Sequence, residues 1–302
     1  MAIIGTSILG NPLDNENTKI SEAIMQRFMP VFVEAEYLYK MEKSEKNIIW
    51  WGRVKAYGDH ILDSIELFSE GIELYPNSYR LYRHRGHRYL SIHRIKDALA
   101  DFTKSAQLFE KYGDQNEMEE DGVANRLPIP PEKTGFNIYY HLAVSAYLCN
   151  QLEVAKSAND KVFDYCINDE DIVAASDWAY LIRRRMGDKI GAEAVIANVS
   201  NDLSIVDNIG YYKRIKFYKG LLSYEDMLKI DTDSEDFYHK SMAKISQLYG
   251  VAAYYIAEGN ITKAKDILED CLHDNKQFSA FAHIASECDL LMIQEGKFEN
   301  GK

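Results

Sequence analysis

Between Leu81 and Arg94, the stretch LYRHRGHRYLSIHR places four arginines and three histidines in fourteen positions. Arginine forks suit carboxylates and phosphates, because a planar guanidinium can donate two parallel hydrogen bonds to one anion. Histidines three residues apart on a helix, such as His84 and His87, could share a metal or supply a neutral base, with His141 as a third member. The neighbouring arginines argue against a metal, since cations crowd the position that the ion would take; no metal and no cofactor is expected. The paired acids Glu119-Glu120 and Asp169-Glu170-Asp171 fall in connections, where they read as solvated or helix-capping groups rather than acid–base catalysts. Nothing in the chain resembles HExxH, a P-loop, a GxGxxG turn or a GxSxG elbow.

The basic cluster sits in an acidic protein of 302 residues with a formal charge of −12. That balance repels phosphate backbones and weighs against nucleic acid as a partner. The run Met1 to Gly10 lacks a basic start and a cleavage pattern, so no signal peptide is expected. No apolar run approaches the roughly 20 residues of a membrane span. Cys149, Cys166, Cys271 and Cys288 lie far apart and read as reduced, mostly buried thiols of a cytoplasmic protein.

The elements that hold the cluster announce themselves by a repeat. Gly52 and Gly86 are 34 residues apart, and Ser64-x3-Phe68 and Ala98-x3-Phe102 follow them. Tyr82 and Tyr89 flank Gly86 at helical spacing, and Pro76 stands between the two units. A small residue on one helix lets a second approach closely, and the aromatic ring of the partner fills the space beside it. Weaker copies follow at Tyr139, Leu142, Ala143 and Ala155, at Gly187, Ala192 and Ile196, and at Leu248, Ala252, Tyr255, Gly259, Ala264 and Leu268.

This spacing resembles the tetratricopeptide signature, W-x2-L-G-x2-Y followed by A-x3-F and P, over roughly residues 40 to 290. The departures are Arg85 in the leucine slot, and Tyr82, Ile48 or Ser176 in the tryptophan slots. The resemblance implies an all-α fold: a right-handed superhelical solenoid of about six helical pairs with N- and C-terminal capping helices. Residues 1–40 would form an N-terminal segment and a capping helix interrupted near Pro30. Residues 41–110 would hold two repeats, 111–134 an acidic and proline-rich insertion, and 135–302 the remaining repeats and the C-terminal cap, in one continuous solenoid.

In such arrays the first helix of each pair lines the concave wall. With Gly86 setting the register, the resemblance puts Arg80, Arg83, His84 and His87 on that wall, and Arg88 and Arg94 off it. Equivalent positions are Trp50, Arg53 and Tyr57 before, then Tyr140, His141, Asp177, Trp178 and Arg184 after. The function implied is a protein-interaction module that grips a protein or peptide bearing acidic groups in a basic, aromatic groove. Two other outcomes are open. One is a small-molecule anion site or enzymatic pocket lidded by residues 111–134 and using His84, His87 or His141. The other is a scaffold that self-associates. Arg85, where leucine belongs, calls for a buried partner, with Asp101 among the candidates.

Overall fold

The computed structural model describes residues 3–14, 22–119, 132–229, 237–273 and 277–298. It is mostly helical, in agreement with the all-α expectation, and it divides into two compact units, Met1–Glu117 and Met118–Lys302. The division falls inside the predicted insertion. The start of that segment, Lys111 and Tyr112, belongs to a helix, and its far end is pinned by a bridge between Met118 and Lys133. Glu120 and Asp121, counted in the insertion, lie outside the described residues.

Unit 1 opens with an antiparallel hairpin that the repeat pattern did not foresee, β1 (Ile3–Thr6) and β2 (Pro12–Asp14). Ile4 and Leu13 point inward, and Gly5 lets the strand lie against the Ile92 carbonyl, which a methyl at Gly5 would meet at 3.3 Å. Five helices follow: α1 (Glu22–Met41), α2 (Glu45–Tyr57), α3 (Ile61–Leu74), α4 (Tyr79–Ser91) and α5 (Ile95–Tyr112). Helix α1 runs through Pro30 rather than breaking there. Pro30 is exposed, so water can serve the carbonyl that proline leaves without its helical donor. Ser44 and Ser78 cap α2 and α4 by accepting from the backbone N–H of Asn47 and Leu81.

Each helix of unit 1 packs on the next along the chain. The small-residue code explains how closely. A methyl on Gly52 would lie 2.3 Å from the Phe68 ring, and one on Gly86 would lie 3.1 Å from Phe102. Ser64 reaches across the first contact and donates to the Gly52 carbonyl at 2.7 Å.

Unit 2 holds α6 (Thr134–Leu148), α7 (Leu152–Val162), α8 (Asp169–Arg185), α9 (Lys189–Ala197), α10 (Ile209–Tyr218), α11 (Tyr224–Met227), α12 (Phe237–Ala257), α13 (Ile261–Leu272) and α14 (Phe281–Gln294). The turns between paired helices share one device. Asp59 and His93 in unit 1, and Asn150, Gly187, Gly220 and Gly259 in unit 2, all take a left-handed conformation just past the first helix. Helix α14, expected as a cap, packs on α12 and also on α6, while α8 touches α6, α10 and α12. The faces expected to line an open groove in unit 2 therefore turn towards one another around a common core of Tyr147, Trp178, Tyr180 and Tyr249.

That core holds charges. Arg185 donates twice to Asp289, at 2.5 and 2.6 Å, joining α8 to α14, and Tyr249 donates to the same carboxylate at 3.1 Å. Removing one member of a buried pair leaves the other without compensation. Asp289→Asn is expected to cost roughly 3–5 kcal/mol in urea unfolding, whereas Asp97→Asn, which loosens only the exposed Arg94 contact, should stay within about 0.5 kcal/mol. Gly52→Ala should destabilise by roughly 1–2 kcal/mol in the same assay, because displacing the buried Phe68 ring outweighs the gain in helix propensity.

Candidate functional site

The residues singled out by their chemistry separate into three groups. The first is a cationic face on α2 and α4. Helix α2 presents Trp50, Arg53 and Tyr57, three and four residues apart, and α4 presents Arg83, His84, His87 and Arg88. The Arg53 guanidinium lies 5.8 Å from the centre of the Trp50 ring and donates to the Tyr57 hydroxyl at 3.4 Å. Arg83 is buried and directs Nη1 to Nδ1 of His84 at 3.3 Å. Guanidinium can only donate, so His84 Nδ1 accepts, and the proton of the neutral ring sits on Nε2. Phe68 from α3 stacks on His84 with centroids 5.7 Å apart, and this clamps the imidazole in place.

The electrostatics of this face are those of like charges gathered together. Burial drives the basicity of His84 well below its usual value, and Arg83, Arg53, Arg88 and His87 push the same way. Arg88, which the register placed off the stripe, lies close enough for its charge to act on His84. Burial lowers its pKa to about 10, Tyr57 opposes that, and Arg83 and Arg53 add to it. Among the described residues, the groups acting on Arg88 are Tyr57, Arg83 and Arg53. Such a face can hold an anion; His84 orients Arg83 and is poorly suited to move a proton.

In the second group the cations are already matched to acids. Arg80, expected on the wall, donates from Nε to Glu117 at 2.7 Å and lies 3.6 Å from Glu45, so it ties the end of unit 1 to α4. Arg85 finds the buried partner it needed: Asp101 accepts from its Nε at 2.7 Å and its Nη2 at 2.8 Å, while Tyr82 and Tyr89 offer ring faces.

The third group lies in unit 2 and departs from the expected open wall. Trp178 and Asp177 are sealed inside, at 1% and 0% exposure. Trp178 donates to the Tyr140 hydroxyl at 2.8 Å, and Tyr140 in turn meets Tyr211 at 3.1 Å. Asp177 lies 2.7 Å from Arg214, whose guanidinium sits over Trp178, Tyr211 and Tyr249. Burial lifts the Asp177 carboxyl to about 7, and the Arg214 charge pulls the other way. His141 donates from Nδ1 to the Asn137 carbonyl at 2.6 Å. Arg184 bonds the Ala257 carbonyl and Glu258. These side chains hold the helices of unit 2 together.

Arg214 and Asp289 escaped the sequence reading. Arg214 sits in YYKRIKFYKG among lysines of the same charge, and the feature that admits it is Gly250 on α12, where a methyl would come within 2.4 Å of its Nε. All four cysteines are free, with Cys271 and Cys288 buried. Among the described residues no helix is long and apolar enough to cross a membrane. No family model matches the chain, and no curated protein matches it.

The folded chain keeps His84 from taking a proton, whereas the unfolded chain accepts one near the usual 6.5. The unfolded state therefore gains protons first, and stability falls as pH drops through about 6.5. Urea midpoints at about pH 7.5 and about pH 5.5 should show a larger acid-side loss for the wild type than for His84→Gln.

Proposed function

We propose that the chain is a tetratricopeptide-like interaction protein that takes an acidic segment of a partner on the cationic face of α2 and α4. On this reading it is a right-handed superhelix of about six helical pairs, working in the cytoplasm. Support for the repeat comes from the helix hairpins closed by one left-handed residue and from the Gly52–Phe68 and Gly86–Phe102 approaches. The free cysteines are consistent with a reducing compartment.

The observation that carries the reading is the grouping of Arg53, Arg83, His87 and Arg88 with the rings of Trp50 and Tyr57 on α2 and α4, where burial and the charges of Arg83 and Arg53 lower the basicity of Arg88 to about 10. An arriving carboxylate would relieve that repulsion and gain charge-assisted hydrogen bonds in a partly dry setting. Trp50 and Tyr57 supply apolar area and ring faces beside the charge. A chain of net charge −12 repels acidic segments elsewhere on its surface, so the cationic face confers selectivity as well as affinity.

The test is binding of fluorescent glutamate-rich peptides containing one aromatic residue, measured by anisotropy over a salt series. Arg53→Gln/Arg88→Gln should weaken binding at least about tenfold and flatten its salt dependence. Arg80→Gln, whose charge is spent on Glu117 and Glu45, should leave binding within about twofold. Unchanged binding in the double variant would sink the proposal.

A further inference from the structure

We propose that helix α1 is a pairing face on which two copies of the chain meet about a twofold axis. One side of α1 is used inside unit 1: Ala35 is fully buried, Val31, Phe32 and Tyr39 pack on the core, and Phe32 meets the Trp51 ring edge-on at 5.1 Å. The other side carries Met29, Val33, Tyr37 and Met41, each four residues after the last. Their exposures are 49%, 61%, 60% and 68%, and Leu38 lies beside them at 37%. Among the described residues the other helices carry at most two exposed large apolar side chains, and the two on α3, Leu62 and Leu74, lie twelve residues apart, which is ordinary for a protein surface. A ladder of four such residues is not, and it forms one continuous strip along about three turns.

The strip points to a second copy as its occupant for three reasons. Residues four apart form a ridge, and two such ridges interdigitate in the commonest class of helix packing, with axes crossing at about −50°. An identical ridge is therefore a suitable partner, and a twofold contact uses the same strip on both molecules. The charges agree. Glu36 and Lys40 flank the strip, 2.9 Å apart in an exposed pair. A dyad at the level of Tyr37 sets Val33 opposite Met41 and brings each Glu36 within one helical turn of the Lys40 of the other copy. One acid and one base four residues apart form a rim that is its own complement under that rotation.

The area also fits. The five side chains leave roughly 500 Å² of apolar surface per copy, so pairing would bury on the order of 1,000 Å², the lower edge of a specific interface. A reversible, concentration-dependent dimer follows. None of these residues belongs to the cationic face, so pairing and acidic-segment binding stand or fall separately.

Sedimentation velocity of the full chain from about 1 to about 200 µM tests the inference. The wild type should move from monomer to dimer across that range. Val33→Glu/Tyr37→Glu should raise the dissociation constant at least about tenfold, with an unchanged thermal midpoint. Glu36→Lys should weaken pairing by about threefold or more, and Glu36→Lys/Lys40→Glu should restore it, because the swap rebuilds both cross-dyad contacts. These exposed charge changes do not threaten the fold and decide the matter if the apolar variant fails to fold. A wild type that stays monomeric throughout overturns the inference, including one that binds a different protein through α1. Pairing that persists in the Val33→Glu/Tyr37→Glu variant, or a charge swap no better than the single change, does the same.

Discussion

Taking a guanidinium out of water costs several kcal/mol unless a carboxylate meets it in good geometry. Much of this structure is arranged around that demand. Arg85 is answered by Asp101, Arg185 by Asp289 and Arg184 by Glu258, while Arg214 has the Asp177 charge 2.7 Å away. The Arg85 pair closes the hairpin of α4 and α5, the others join parts of the chain that are further apart, and the contact between Arg185 and Asp289 spans 104 residues. The aromatic rings around them do two jobs: they fill the space between helices, and they offer electron-rich faces to the cations. Helix packing in unit 2 and charge compensation in unit 2 are thus one problem with one solution.

The face on α2 and α4 handles the same demand differently. There Arg88 has Arg83 and Arg53 acting on it as well as Tyr57, and His84 gives up its own proton affinity to sit among these cations. Phe68 links this chemistry to the fold. Its ring occupies the space that Gly52 leaves open, and it stacks on His84, which in turn accepts from Arg83. The close approach of α2 and α3 therefore decides where the Arg83 guanidinium stands. A packing residue and a candidate binding residue are coupled through a single imidazole.

The helical pairs of unit 1 were legible because their code is local. Gly52, Ser64 and Phe68, and Gly86, Ala98 and Phe102, each report a contact within one hairpin, so a short window of sequence contains both partners. The cationic face was legible in outline for the same reason, since Arg53, Arg83, His84 and His87 follow from helical spacing. For Arg80 and Arg88 spacing was only part of the account. Helical register gives the direction in which a side chain leaves its helix; what it meets there, Glu117 and Glu45 for Arg80, and the charges of Arg53 and Arg83 for Arg88, comes from further along the fold.

Spacing alone did not carry the wall of unit 2. Tyr140, His141, Asp177, Trp178 and Arg184 occupy the equivalent positions, yet α14 returns onto α6 and those side chains become interior. No window around residue 177 contains Arg214, and no window around residue 185 contains Asp289. What the amino-acid sequence by itself determined was the helical character, the two-helix hairpins of unit 1 and the concentration of cations on one of their helices, because these depend on neighbours within a few turns. Which arginines meet a distant carboxylate, and which gather beside one another, was decided by the tertiary structure. Only there do distant carboxylates come within reach of a guanidinium that has lost its water.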